Sequence, residues 1–235
     1  MIKLLFKTTL FTLLLCSAAL LSKAQIGYDY AQYDIGIGGN INKVYGDAET
    51  AKNTPSVLVN FTYNYTPYVN YVVEAQGGIL EGGSGATLSG RYFRNVYKAV
   101  IFRGQLQAGE FLRYSDSKIF NALKNIYASA GFGYIINDIT SINRTSFVLP
   151  DYTTPGEIDA HELFLPVKVG YEFKVFNRYD EPSFKVDIGG QYNYDFGDNL
   201  DGFEAGRSKD KFIQYSITLK FAIGGVTSYR KKISY

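Results

Sequence analysis

Hydrophobic and polar residues alternate strictly in residues 56–65, SVLVNFTYNY. The even-numbered positions are mostly polar, whereas the odd-numbered positions are Val57, Val59, Phe61, Tyr63 and Tyr65. Successive side chains of a β-strand point to opposite faces, so this pattern predicts a strand with one apolar face. Alternation alone does not tell whether that face contacts a protein core or lipid.

Eight segments of the chain share this alternation, and each is ten to fourteen residues long. Strands in globular proteins average about five or six residues, whereas a tilted strand crosses a bilayer in about 9–11 residues. The length of the segments therefore favours strands that cross a membrane. The predicted strands are 32–41, 56–65, 69–80, 99–110, 126–136, 162–175, 183–196 and 212–223.

The connections between these strands alternate in length, apart from one. Segments 42–55, 81–98, 137–161 and 197–211 are long, as are the outer loops of outer-membrane barrels, and 66–68 and 176–182 are short like periplasmic turns. The connection 111–125 departs from this rule, and its residues 118–124 predict a short helix on the periplasmic side. Together these features predict an all-β fold, an eight-stranded antiparallel up-and-down transmembrane β-barrel.

The polar faces of the strands carry charged residues of both signs. In a membrane barrel these faces line the interior, where charges persist only when they are paired. We therefore expect a charge network in the lumen that is built from Asp34, Glu74, Arg103, Lys168, Glu172, Lys185, Asp187 and Lys220. Lys174 lies on the same face and also belongs to it. Eight strands enclose a lumen that side chains fill, whereas open porins have about 16–18 strands. A plugged lumen is thus the favoured interpretation, with a narrow ion path as the alternative.

Aromatic residues on the apolar faces gather near strand ends, as the interfacial girdles of membrane barrels do. The chain has 21 Tyr, 17 Phe and no Trp, so Tyr would replace Trp in these girdles. One predicted ring contains Tyr63, Tyr65, Tyr71, Phe173, Phe184 and Phe221, and the other contains Tyr134, Tyr192, Tyr194 and Phe196.

Residues 1–24 have the pattern of a secretory signal peptide. Lys3 and Lys7 precede the apolar run 8–21, and small residues precede the predicted cleavage point. The run is too short to span a bilayer comfortably. The only cysteine, Cys16, lies within it, so the mature chain has no thiol chemistry. Lipidation of Cys16 is the less favoured alternative, because Leu13-Leu14-Leu15 precede it, whereas a lipobox has Leu followed by two small residues.

The predicted organisation is a signal peptide at 1–24, one barrel domain at 25–223 and a periplasmic tail at 224–235. The tail includes the basic run Arg230-Lys231-Lys232. Loss of the signal leaves one more acidic than basic residue in the mature chain, and no basic patch with interleaved aromatic residues is present. We therefore expect no nucleic-acid partner.

Residues 25–223 resemble the small outer-membrane β-barrels of the OmpA/OmpX type found in Gram-negative bacteria, in strand number, strand length and loop pattern. The last strand, YSITLKF at 215–221, is similar to the terminal aromatic signal of that family. The resemblance implies localisation in the cell outer membrane, contact with outer-membrane lipids and recognition by the barrel-assembly machinery. It also implies a possible extracellular ligand or envelope protein as partner.

We expect a structural or surface-interaction role without catalysis, cofactor or metal. His161, the only histidine, raises the alternative of a lipid-modifying enzyme, but no nucleophile at a supporting spacing accompanies it. Two further alternatives are an accessory subunit of an outer-membrane secretion or assembly machine and a soluble periplasmic lipid-binding barrel with its apolar faces turned inward.

Overall fold

A computed structural model of the chain describes residues 28–112, 117–178, 182–205 and 209–229. Within these ranges eight strands form one closed sheet, in which every strand pairs antiparallel with its sequence neighbours and the last strand pairs with the first. The predicted fold class of an antiparallel up-and-down barrel is confirmed. The strands are β1 (Tyr28–Tyr45), β2 (Asn53–Asn64), β3 (Val69–Gly83), β4 (Tyr92–Gln107), β5 (Ile126–Asn143), β6 (Asp159–Phe176), β7 (Pro182–Asp195) and β8 (Lys211–Tyr229).

The outer surface of the barrel is apolar. In β2, Val57, Val59 and Phe61 are exposed, whereas Leu58 and Thr62 point inward and are buried. Exposed large apolar side chains recur on all eight strands. Such a surface is unfavourable in water, and a closed sheet leaves no unpaired strand edge in hydrocarbon, so the barrel wall faces lipid. This outcome excludes the inverted, lipid-binding barrel.

The two ends of the barrel differ in their connections. The described residues of connections 46–52, 84–91, 144–158 and 196–210 lie at one end, here called the loop end. The described residues of connections 65–68, 108–125 and 177–181 lie at the other, here called the terminus end because Tyr28 and Tyr229 are there.

The connection 108–125 contains a 3₁₀ turn (Ala108–Glu110) and one short helix, α1 (Lys118–Leu123). The helix predicted over 118–124 is thus confirmed. In the described part of the chain, no helix is long and apolar enough to span a bilayer.

All eight strands differ from their predicted bounds, most of all β4, β5 and β8, where one end lies six or seven residues from the predicted end. Two of these differences have a clear cause, and in β8 the cause is that backbone pairing continues where side-chain alternation changes. β8 continues to Tyr229, since residues 226–229 pair with residues 28–31 of β1. Residues 224–229, which were predicted to begin the tail, therefore belong to the barrel sheet. Gly224, with a φ of 79°, and Gly225 interrupt the alternation that the sequence pattern relies on. The predicted signal peptide and residues 230–235 lie outside the described residues.

The second difference concerns β4, which runs from residue 92 to residue 107 instead of from 99 to 110. The prediction began too late because Phe93 and Tyr97 place large aromatic side chains on the inward face, where polar residues were expected. Residues 108–110 turn away from the sheet as the 3₁₀ turn.

Candidate functional site

The interior of the barrel is the candidate site, since the predicted charged residues converge there. All eight are buried: Asp34, Glu74, Arg103, Lys168, Glu172, Lys185, Asp187 and Lys220. Within the described ranges these residues, with Lys174, make up five basic and four acidic groups on the inner face.

One part of the network centres on Lys185 of β7. Its Nζ lies 2.6 Å from Asp34 Oδ2 and 4.0 Å from Glu172 Oε1. Lys174 Nζ lies 3.9 Å from the same Glu172 oxygen and donates a hydrogen bond to the Pro67 carbonyl at 2.9 Å. Because Pro67 belongs to the turn 65–68, this part of the network lies toward the terminus end.

Lys220 of β8 extends the network across the lumen. Its Nζ lies 2.9 Å from Glu172 Oε2 and 3.1 Å from Asp187 Oδ2. Lys168 Nζ lies 3.0 Å from Asp187 Oδ1, which also accepts a hydrogen bond from the Tyr127 hydroxyl at 2.9 Å. The ion pairs thus join strands β1, β6, β7 and β8 into one chain of alternating charge.

The strand register explains why Lys185 and Lys220 each join two carboxylates. Glu172 lies directly opposite Asp187, and Lys185 lies directly opposite Lys220, so like charges are cross-strand neighbours. Like charges directly opposite each other are destabilising. The attractive contacts therefore run diagonally and across the lumen, where the ammonium groups of Lys185 and Lys220 each lie between two carboxylates.

Arg103 and Glu74 form a separate pair. The guanidinium donates two hydrogen bonds to the Glu74 carboxylate, at 3.2 and 2.7 Å, and a third to Gln191 Oε1 at 3.1 Å. Gln76 Nε2 donates to the same carboxylate at 2.6 Å. Bidentate charge-assisted bonds of this kind are among the strongest side-chain contacts.

A layer of amides lies next to the charged groups on the side of the loop end. Gln214 Nε2 lies 2.9 Å from both Asn42 Oδ1 and Gln76 Oε1, and Gln214 Oε1 accepts from Asn193 Nδ2 at 3.1 Å. Gln76 therefore links this amide layer to the Arg103–Glu74 pair.

Buried aromatic side chains, which the sequence analysis missed, form a layer in the interior near the loop end. Phe93 meets Phe203 edge to face with ring centroids 6.2 Å apart, and Phe164 and Phe212 are 5.7 Å apart. Phe203 and the equally buried Leu200 come from connection 196–210, here called the capping loop. The sequence contained a signal for this layer. Phe93 and Tyr97 are odd-numbered like Arg103, so the alternation places all three on the inward face of β4.

Carboxylates hold the capping loop against the barrel. Glu162 Oε1 accepts hydrogen bonds from the backbone N–H groups of Asp198 and Asn199, each at 3.0 Å. Asp210 Oδ2 accepts from the Leu200 N–H at 3.0 Å. Asp201 Oδ2 accepts from the backbone N–H of residue 47 in connection 46–52 at 2.7 Å.

The acidic side chains of the capping loop are crowded. Burial raises the pKa of Asp201 to about 7, and repulsion from Asp47 and Asp198 adds to the rise. Burial raises the pKa of Asp210 to about 9, with repulsion from Asp201 and Asp198 as the next causes. The carboxyl group of Asp210 therefore keeps its proton at neutral pH. Within the described residues, no group of three or more His, Cys, Asp and Glu side chains is arranged to hold a metal ion.

The predicted girdle residues lie on the outer wall, apart from Tyr65 and Phe196, which directly follow β2 and β7. Tyr63 stacks with Tyr71 at a centroid distance of 6.4 Å and contacts Tyr33, which the prediction omitted, at 5.6 Å. Phe102 and Phe132 pair in the middle of the wall, so aromatic residues are not confined to the two rings. The exposed or half-exposed girdle residues are Tyr63, Tyr65, Tyr71, Tyr134, Phe173, Phe184, Tyr192, Tyr194, Phe196 and Phe221.

His161 lies on the outer wall near the loop end. Its Nδ1 is 3.0 Å from the hydroxyl of Tyr134, and its ring is exposed. The neighbouring Glu162 points inward to the capping loop, so His161 and Glu162 lie on opposite faces of β6.

No protein-family model and no curated protein matches the chain. Among solved structures, the chain is similar to Neisserial surface protein A, with 11% identity and a TM-score of 0.47 over 82% of this chain and 98% of that one. It is also similar to Ail, the attachment invasion locus protein of Yersinia pestis, solved with the heparin analogue sucrose octasulfate, with 12% identity and a TM-score of 0.45 over 82% and 98% of the two chains. For outer membrane protein OprG from Pseudomonas aeruginosa the values are 10% identity and a TM-score of 0.34 over 88% and 99%.

These likenesses concern the fold alone. The apolar wall, the closed sheet and the charged interior are those of an outer-membrane β-barrel. The predicted resemblance to small outer-membrane barrels and the predicted localisation in the outer membrane are therefore confirmed at the level of architecture.

Proposed function

We propose that the barrel has a plugged lumen and that its loop end, facing the cell exterior, contacts a partner. The role is structural and interactive, without catalysis and without general diffusion of solutes. The observation that supports this proposal is the layered interior, in which charged, amide and aromatic side chains follow one another from the terminus end to the loop end.

The energetics of the charged layer support a closed lumen. Separating one partner from a buried ion pair costs about 3–5 kcal/mol, because a desolvated charge is left behind. The lysines at positions 185 and 220 each contact two carboxylates, so an ion path would require several such contacts to break together. The aromatic layer would still close the loop end.

Conductance in planar lipid bilayers tests the plugged lumen. We expect no stable conductance steps from the wild-type barrel. The double variant Arg103→Ser/Glu74→Ser removes two large side chains of the charged layer and keeps the net charge, but the aromatic layer should keep it closed. Conductance should appear only when Phe93→Ala and Phe203→Ala, which open the aromatic layer, are added to it. Steady ion-selective steps from the wild-type protein would overturn the proposal.

The connection 144–158 supplies the surface for a partner. Phe147, Val148 and Leu149 at its tip are 65%, 69% and 60% exposed. The tip is nevertheless ordered, because the Phe147 N–H donates to the Ser89 carbonyl at 2.9 Å and Thr145 bridges Thr153. Ordered, exposed apolar side chains are typical of interaction sites, so the expected partner has an apolar contact surface.

Site-specific photo-cross-linking on intact cells tests this surface. A benzophenone amino acid at Val148 should give a discrete adduct, whereas the same residue at exposed Ala86 in connection 84–91 serves as the control. Equal labelling at both positions would contradict an interaction at the tip.

A His161→Ala variant tests the proposed absence of catalysis. It should leave the lipid A and phospholipid profiles unchanged.

A further inference from the structure

Helix α1 exposes its large apolar side chains. Ile119, Phe120 and Leu123 are 73%, 53% and 39% exposed. With 3.6 residues per turn, these three positions lie within an arc of about 100° and form one face. Asn121, on the other side of the helix, is buried. The helix therefore packs on the protein with its polar side and leaves its apolar side outward.

A hydrogen bond fixes α1 beside the lipid-facing wall and not below the lumen. The hydroxyl of Tyr171 donates to the Ala122 carbonyl at 2.9 Å. Tyr171 lies directly opposite Ile126. Its odd-numbered position places it on the same outward face of β6 as the exposed Val167 and Val169. The side chain that anchors the helix thus belongs to the lipid-facing surface.

The apolar face of α1 continues this surface. Ile126, which begins β5 three residues after Leu123, is exposed to lipid, as is Leu106 near the end of β4. The start of the connection is also fixed, because the Gly109 N–H donates to the Lys124 carbonyl at 2.9 Å. The exposed face is therefore held at the edge of the membrane wall at the terminus end.

We propose that α1 is a membrane-interfacial helix whose apolar face inserts into the phospholipid leaflet at the terminus end of the barrel. Amphipathic helices of this kind lie in the interface plane with their apolar side among the acyl chains. A helix this short is not stable alone in water, so the Tyr171 hydrogen bond and the leaflet together maintain it. This role is independent of the plugged lumen and of the loop-end partner.

The absence of tryptophan from the sequence permits a direct test. Single-tryptophan variants Phe120→Trp and Leu123→Trp are placed in phosphatidylcholine nanodiscs whose acyl chains carry bromine, a quencher of tryptophan fluorescence. Phe132→Trp, in the middle of the wall, and Leu88→Trp, 86% exposed at the loop end, are the matched references. The shift in gel mobility on boiling shows that each variant is folded.

Fluorescence of Phe120→Trp or Leu123→Trp should fall severalfold in brominated nanodiscs, more strongly with bromine near the headgroup than near the chain end. Phe132→Trp should show the opposite depth preference, and Leu88→Trp should be unaffected. Adding Tyr171→Phe to Phe120→Trp should weaken the quenching. If both α1 variants behave like Leu88→Trp while Phe132→Trp is quenched, α1 lies in water and the proposal is overturned.

Discussion

Replacement of Arg103 by methionine tests the energetic role of the lumen pairs. The substitution keeps much of the apolar volume but removes both hydrogen bonds to Glu74. The Glu74 carboxylate is then left buried with Gln76 as its remaining hydrogen-bond donor. Loss of one partner of a buried pair costs about 3–5 kcal/mol, so we expect the free energy of unfolding to fall by that amount.

Urea unfolding in lipid vesicles, followed by the mobility shift on unboiled gels, measures this loss. With an m-value of about 2 kcal/mol per molar urea, the midpoint should fall by about 2 M. Arg94→Met is the matched control, because Arg94 Nη1 lies 3.3 Å from Glu81 Oε1 in a pair that is half exposed. Exposed pairs contribute about 0.2–1 kcal/mol, so this variant should change little.

A double variant separates loss of attraction from the effect of the uncompensated charge. Adding Glu74→Gln to Arg103→Met replaces the buried carboxylate by a neutral amide, so the double variant should regain more than half of the lost stability. The reasoning is refuted if Arg103→Met unfolds at the same urea concentration as Arg94→Met, or if the double variant is no more stable than Arg103→Met.

Three further outcomes are expected. Since the pKa of Asp201 is about 7, above its unfolded value of 3.8, the stabilising effect of its proton is present at low pH and disappears as the pH rises through 7. Protection factors for hydrogen exchange in the capping loop, which correct for the intrinsic rise of amide exchange with pH, should therefore fall from pH 5 to pH 8, less so in Asp201→Asn, and constant protection factors in the wild type would contradict this. Gly131→Ala places a Cβ against backbone atoms of β4 and should cost about 1–3 kcal/mol in urea unfolding, whereas Gly104→Ala, with open space around its Cβ position, should cost little. Ile217→Arg on the lipid-facing wall should destabilise the barrel in vesicles by about 2–4 kcal/mol while Leu88→Arg is neutral, and equal effects of the two would mean that the wall contacts water.

The sequence was sufficient to predict the barrel because a repeating two-residue pattern survives in every strand. Lipid selects apolar residues on one face, and the enclosed lumen selects polar residues on the other, so both signals reinforce each other. The eight lumen charges were found on this basis alone. Their partners were not predictable, because pairing across the lumen depends on register, which sets Lys220 between Glu172 and Asp187.

The aromatic layer escaped prediction for a related reason. Its members come from strands whose inward positions were expected to be polar and from the capping loop, where no periodicity exists. Phe203 and Phe93 meet only once the fold brings connection 196–210 over the lumen. Likewise, the extension of β8 beyond Gly224 depends on backbone pairing with β1. The pattern of side chains along one strand does not reveal such pairing.

The seam between β1 and β8 has a consequence for how the barrel is assembled. It joins the two strands that are farthest apart along the chain, and it continues from Tyr45 opposite Lys211 to Tyr28 opposite Tyr229. Until this seam closes, both strands present rows of unpaired N–H and C=O groups, which are very unfavourable in hydrocarbon. Bringing such distant segments together is also entropically slow. Insertion and closure should therefore be a single cooperative event. A chain that lacks β8 should not insert into the membrane even partially.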